Sequence, residues 1–196
     1  MKYVAYILFT AFIVTALLFL KSALSTENEP PAFIGSNKCA ECHRLKVRGD
    51  QFNVWEESKH SKSFESLKSE LAKEVTTKNN LEEPTKNKLC LKCHTTNGHA
   101  ENISLKESFN INEGVGCEGC HGAGSNFSKT KIMEDEQKFK EKGGVVGDEN
   151  TCLKCHSQKG NPEKKILDNV CPFQKSDFDY KTSFEKIKHP VIKENF

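Results

Sequence analysis

Four times along this chain two cysteines three positions apart are followed at once by a histidine: Cys39, Cys42, His43; Cys90, Cys93, His94; Cys117, Cys120, His121; and Cys152, Cys155, His156. This Cys-x-x-Cys-His pattern is the attachment signature of a c-type haem. Two thiols at that spacing can each bond one vinyl-bearing edge of the porphyrin, which leaves the next imidazole to reach the iron as its proximal ligand. Zinc ribbons also use Cys-x-x-Cys pairs, but they have no requirement for a histidine after each pair. A thioredoxin-like dithiol explains one pair, not four. The spacing therefore predicts four covalently attached haem c groups. The eight motif cysteines would be the thioether residues, and His43, His94, His121 and His156 the proximal iron ligands.

Four porphyrins also decide the fold class. Apolar residues make up 36% of the sequence and charged residues 29%, thin material for a large protein interior, but each haem is a broad apolar plate that side chains can cover. No segment shows the alternation of a strand. The expectation is a mainly α, small multihaem fold with the haems as its core and little or no β-sheet, in one domain over residues 35–196.

Residues 3–20 are an almost unbroken apolar run behind Lys2. They read as an export segment. Residues 1–25 would be a signal peptide cut before Thr26, followed by a linker over 26–34. Left uncleaved, roughly 18 residues rising about 1.5 Å each approach the ~30 Å hydrocarbon thickness of a bilayer, so inner-membrane association through residues 3–20 is the alternative. No cysteine stands just after the run, which removes lipid anchoring. Either way the remainder lies in the periplasm, where haem is attached to exported cysteines. The formal charge of +2 falls to zero once Lys2 and Lys21 leave with the leader. About eight propionates, offset by one net positive charge per ferric centre, then make the assembled protein mildly acidic. Nothing points to nucleic acid, and the Lys/Glu mixture reads as a solvated surface able to guide a redox partner.

Between the motifs, Phe64, Leu67, Leu71 and Val75 recur at helical spacing and predict a helix over about residues 56–77, with His60 near its start. Residues 78–88, with Asn79, Asn80 and Pro84, read as a loop. Residues 132–142 read as a charged helix ended by Gly143 and Gly144. Tyr180, Phe184 and Ile187 predict a last helix that Pro190 stops. The stretch between Cys93 and Cys117 is short, which implies close haems. Gly122 and Gly124 are the small residues expected where backbone passes beside a porphyrin.

The chain holds seven histidines. Four are proximal, leaving His60, His99 and His189 as candidate distal ligands for four irons. That shortfall matters, because the sixth ligand decides whether a haem only passes electrons or also binds something. His99 follows His94 by five residues, so the two cannot readily take opposite faces of one haem. Apart from Met1, Met133 is the only methionine, and its simplest role is packing on a helix face. Mostly bis-histidine ligation implies potentials below those of His/Met cytochromes. Cys171 belongs to no motif and reads as a small buried residue beside Pro172 and Phe173.

Several segments together resemble the cytochrome c-554 family of periplasmic tetrahaem cytochromes. They are the first motif followed by Trp55-x-x-Ser58-x-His60, the run Gly114-Val115-Gly116-Cys117-Glu118-x-Cys120-His121-Gly122-x-Gly124, and Phe178-x-Tyr180 with Lys188-His189-Pro190. The likeness spans about residues 35–190. It implies a mainly helical fold with haems in closely packed pairs, His60 and His189 as distal ligands, and a five-coordinate haem at the second motif, Cys90 to His94. It also implies electron exchange with a redox enzyme; the best-known members accept electrons from hydroxylamine oxidoreductase. This sequence departs in one place: relatives often carry a distal histidine within about ten residues of the third motif, where residues 125–131 hold none. His99 is the expected replacement, with Lys131, Met133 or a second open haem as alternatives.

These readings favour a carrier of single electrons between redox partner proteins, which needs no catalytic side chain. Two alternatives stand beside it. One is an enzyme reducing a small nitrogen oxide or hydroxylamine at a five-coordinate haem. The other is a membrane-anchored, quinol-linked cytochrome.

Overall fold

The computed structural model describes residues 29–100, 102–156 and 178–190. The leader, residues 26–28 of the linker and Cys171 lie outside the described residues. Among those described, no helix is long and apolar enough to cross a membrane; residues 3–20 are not among them. The elements below belong to one compact unit, Pro31–Phe196.

The architecture is mainly helical, in short pieces. In chain order the elements are β1 (Ala32–Phe33), α1 (Ser36–His43), α2 (Gln51–Glu57), α3 (Ser63–Ser66), α4 (Glu70–Lys78), α5 (Lys88–His94), β2 (Ser104–Leu105), α6 (Cys117–His121), α7 (Thr130–Met133), α8 (Glu136–Glu141), α9 (Glu149–His156) and α10 (Tyr180–Ile187), with single 3-10 turns between some of them. Each Cys-x-x-Cys-His motif closes a helix: α1, α5, α6 and α9. The only sheet among the described residues is the parallel pair β1 and β2, with Ala32 opposite Ser104 and Phe33 opposite Leu105.

Local chemistry sets most of the starts. Ser69, Asn87, Asp135 and Asp179 each accept a hydrogen bond from a backbone N–H of the first helical turn, at α4, α5, α8 and α10, the usual work of an N-cap. Asp148 does the same for Thr151 in α9, at 2.9 Å. Helices α1 and α6 differ, because glycines precede them and neither has a side-chain cap of its own at the N-cap position. They cap each other instead. Glu118 of α6 accepts from Ile34 N–H (2.9 and 3.0 Å), Gly35 N–H (2.8 Å) and Gly124 N–H (2.6 Å). Glu113 accepts from both Ser36 N–H and Ser36 Oγ, each at 3.0 Å. Ser36 Oγ in turn accepts from Cys117 N–H at 3.1 Å. The first and third motifs are thereby fixed to one another.

The segment Gly114–Gly116 ties in the rest. Thr96, just after the second motif, donates its N–H to Gly114 C=O at 3.0 Å and accepts from Gly116 N–H through Oγ1 at 2.7 Å. Val115 C=O accepts from Trp55 Nε1–H at 2.8 Å, and Val115 N–H reaches the His60 carbonyl and Ser63 Oγ, both at 3.0 Å. Gly114 has φ +77°, and a Cβ there would stand 2.5 Å from the His60 carbonyl oxygen. Only glycine fits.

Three expectations change. The helix over residues 56–77 is broken into α2, α3 and α4, with His60 in the turn between the first two. The cause is a run of serines whose hydroxyls take backbone carbonyls: Ser61 to Glu56 and Ser58, Ser63 to His60, Ser66 to Ser63, Ser69 to Ser66, the local competition that disfavours a continuous helix. The helix over 132–142 is likewise two, α7 and α8, because Asp135 caps a fresh start. Gly122 and Gly124 pack against protein: a Cβ would meet Gly143 C=O at 2.8 Å in the first case, and Glu118 and Ile34 at 3.0 Å in the second. The loop after residue 78 and the last helix are as expected.

Glu118 is 4% exposed, and burial raises its carboxyl pKa against the pull of the three amides it accepts from. Replacing it by alanine leaves those amides unpaired, and we expect Glu118→Ala to cost about 3 kcal/mol. Glu118→Gln should recover part of that. Guanidinium denaturation of the haem-loaded protein measures both; an alanine variant within about 0.5 kcal/mol of the parent, the scatter of ordinary surface changes, would remove the capping role.

Candidate haem-binding site

The described residues bury few apolar side chains: Ala32, Phe33, Phe52, Phe64, Leu67, Ala123 and Phe127. Leu45, Val47, Leu71, Leu105, Ile111, Met133, Val145, Val146 and Phe184 stay exposed. A protein of this size needs more apolar contact than that, and flat apolar plates held at the motifs would cover what the polypeptide leaves open.

The imidazoles are prepared for metal. His94 Nδ1 lies 2.7 Å from Ser63 C=O, and His121 Nδ1 lies 2.9 Å from Val145 C=O. A carbonyl only accepts, so each Nδ1 carries the proton and each Nε2 keeps its lone pair for iron. His43 Nδ1 faces Gln51 Oε1 at 3.3 Å. The orientation of that amide is set by its other end, where Gln51 Nε2 donates to the carbonyls of Arg48 and, at 2.8 Å, Pro190. Such outer hydrogen bonds orient a ligating ring and raise its basicity.

Two further histidines face proximal ones. The rings of His121 and His189 have centroids 5.9 Å apart, and those of His60 and His156 are 6.2 Å apart. An iron bonded to two imidazole nitrogens at about 2 Å each, with each ring centre about 1.2 Å beyond its nitrogen, sets the centroids about 6.3 Å apart. Both gaps are therefore the width of an axially ligated iron. His189 Nδ1 is buried with no hydrogen-bond partner in the protein, a costly state for a polar atom unless something outside the chain engages the ring. Burial pushes the pKa of His60 down, with His156 adding to it; burial does the same for His189, helped by His121 and His43. Neutral rings are the form that binds metal. Phe178 stacks on His156, centroids 4.7 Å apart at 14°.

His99 goes elsewhere. Its Nε2 lies 3.1 Å from Cys155 Sγ, and the two form with Cys93 Sγ a cluster whose ligand atoms all lie within 4.8 Å of one another. Thiols of different motifs also meet at one other point, and a third pair lies within electrostatic reach. Cys39 and Cys117 share a hydrogen bond that drives the Cys39 pKa up and the Cys117 pKa down. Burial, then the neighbouring Cys152, raises Cys120 to about 11. Cys93, hydrogen-bonded by Cys155 and His99 against its burial, falls to about 5. The first and third motifs thus meet at Cys39 and Cys117 and the second and fourth at Cys93 and Cys155, while Cys120 of the third has Cys152 and Cys155 of the fourth within electrostatic reach.

Motif spacing named the eight cysteines and the proximal histidines. It gave no sign of Gln51, nor of Ser63 and Val145, which act through backbone carbonyls that carry no residue signature; Phe178 stood only in the Phe178-x-Tyr180 piece.

The motifs, the haem-wide gaps and the sparse apolar core define a c-type cytochrome with four covalently attached haem c groups, an electron carrier. The family model for cytochrome c554 and c-prime matches residues 38–122. Cytochrome c-554 of Nitrosomonas europaea is 29% identical, over 91% of this chain and 81% of that protein. The solved reduced state of cytochrome c554 from Nitrosomonas europaea superposes with a TM-score of 0.56 at 27% identity, covering 81% of this chain and 85% of that one. Over these spans the chain resembles the cytochrome c-554 family.

Gln51→Leu removes the acceptor at His43 Nδ1, so the ring becomes a weaker donor and ferric iron is less favoured. We expect the potential of one haem to rise by up to about 40 mV, a hydrogen bond of about 1 kcal/mol read through a one-electron couple. Spectroelectrochemical titration measures it, and four unchanged potentials would deny Gln51 that role.

Proposed function

We propose that this protein works in the periplasm, passing single electrons between redox partner proteins along four haems in the order first, third, fourth and second motif. The placing of the motif thiols carries this reading, because Cys39 meets Cys117, Cys155 meets Cys93, and Cys120 lies within electrostatic reach of Cys152 and Cys155, which brings successive porphyrin rims near one another. Bound haem supplies a one-electron ferric/ferrous couple. The chain supplies the rest. His43, His94, His121 and His156 hold the proximal positions, and His189 and His60 close the distal sides opposite His121 and His156. Gln51, Ser63 and Val145 fix ring orientation through Nδ1. Residues 3–20, read as an export segment, support the location.

Partners are met through the charged surface. Several of its lysines sit in exposed pairs at one-turn spacing, such as Lys73 with Glu70, Lys138 with Asp135 and Lys140 with Glu136. Pairs of this kind add little stability, so the surface charge is left to steer encounter, which makes the on-rate dependent on salt.

No described imidazole faces His94, and this favours a second reading in which that haem reduces a small nitrogen oxide or hydroxylamine. The deciding experiment is a haem count by pyridine haemochrome with a spectroelectrochemical titration, followed by mixing of the reduced protein with nitric oxide, nitrite and hydroxylamine. The carrier reading expects four haems, four reversible one-electron steps and no multiple turnover. Sustained turnover would install the enzyme reading instead.

A further inference from the structure

All seven histidines of the chain are among the described residues, so their assignment can be completed. Four end the motifs, and His189 and His60 stand across haem-wide gaps from His121 and His156. One histidine remains for the two irons of His43 and His94.

His99 does not serve the first motif. It lies in the single turn after α5, exposed, with Nε2 against Cys155 Sγ and beside Cys93 Sγ. Both sulfurs become thioethers on the rims of two different porphyrins, so His99 stands at a junction of rims and not over an iron. The thiol that carries the first porphyrin, Cys39, has Cys117 as its neighbour instead.

His189 cannot serve it either, although it is close enough for His43 to depress its pKa. Gln51 bonds His43 Nδ1 with one end of its amide and the Pro190 carbonyl with the other. Gly49 lies against the same carbonyl, and a Cβ there would collide with it. The His189–Pro190 segment therefore approaches His43 from its Nδ1 side, while iron binds at Nε2. His189 is behind the ring and turned towards His121.

We propose that the iron carried by His43 has no protein imidazole on its distal side and accepts a small exogenous ligand there, a neutral diatomic gas or a nitrogen base of imidazole type. This rests on the four-haem reading above. Together with His94 it makes two ligand-accepting irons, those at the two ends of the haem order, with closed bis-histidine irons between them.

The test is a spin and ligand count on the four-haem protein. Oxidised samples examined by electron paramagnetic resonance and near-infrared magnetic circular dichroism should show two high-spin haems of four, and the reduced protein should bind two carbon monoxide molecules. His99→Ala should leave the count at two. His60→Ala and His189→Ala should each raise it to three, which identifies the two closed haems and leaves those of His43 and His94 by elimination. One or no high-spin haem in the unmodified protein overturns the proposal without any variant having to fold. So does a count that rises by one in His99→Ala, Lys131→Ala or Met133→Leu, which would name the missing ligand. A haem content below four would strike the underlying reading itself, and the same samples report it separately.

Discussion

The reciprocal capping of α1 and α6 is the constraint on which the rest of this molecule depends. Each helix is only a few residues long and carries a haem motif, so neither could persist on propensity alone. Glycine precedes both, which lets the backbone turn sharply but leaves the first amides without a local acceptor. Glu118 and Ser36 supply acceptors from the other helix, and Glu113 one from the turn that precedes α6. The consequence is geometric: Cys39 is brought against Cys117, and the rims of two porphyrins must then lie side by side. Gly114–Gly116 extends the same device to Thr96 and to the turn holding His60. Motifs one, two and three and a distal histidine thus hang on one extended tripeptide.

This inverts the usual division of labour in a small domain. The interior that the polypeptide makes by itself is strongly polar, with Ser36, Thr76, Asn87, Thr95, Thr96, Glu118 and Thr151 all buried. Such groups orient structure when paired but add little net stability, about 1 kcal/mol per hydrogen bond. The apolar contribution must come from Leu45, Val47, Val145, Val146 and their like closing over porphyrin. Folding and haem attachment are therefore coupled, as metal binding and folding are in other small metalloproteins. The protein scaffold decides where the plates sit, and the plates decide whether the scaffold is stable.

Much of this could be read in the sequence. The thioether cysteines, the proximal histidines and the candidacy of His60 and His189 follow from spacing and resemblance, because thioether chemistry leaves little freedom in which residues are used. The last helix was equally plain in Tyr180, Phe184 and Ile187. What could not be read were features that need the third dimension. An apolar period through Phe64, Leu67, Leu71 and Val75 suggested one helix, and only the carbonyls taken by successive serines break it into three. Gly122 and Gly124 were placed beside porphyrin on general grounds, whereas Gly143, Glu118 and Ile34 claim the space. For His99, spacing excluded the haem of His94 but could not foresee Cys155 as its neighbour, since the fourth motif lies more than fifty residues further on. Gln51 carried no signal, because its role joins two segments at opposite ends of the described chain.

The distribution of ligands along the haem order has a consequence for conduction. In the proposed haem order, the irons of the third and fourth motifs, whose histidines have a facing imidazole, are the internal members of the series, and their potentials would be set by groups the protein holds fixed. The terminal irons face a side on which no protein imidazole stands. A ligand that binds ferrous iron tenfold more tightly than ferric raises the potential of that haem by about 59 mV, since only differential affinity shifts an equilibrium. At an internal position such a shift would interrupt the series for every electron. At an end it changes how readily electrons enter or leave while the middle stays as it was. Placing the closed irons inside and the open ones outside therefore keeps the transfer path constant and leaves the points of exchange responsive to their surroundings.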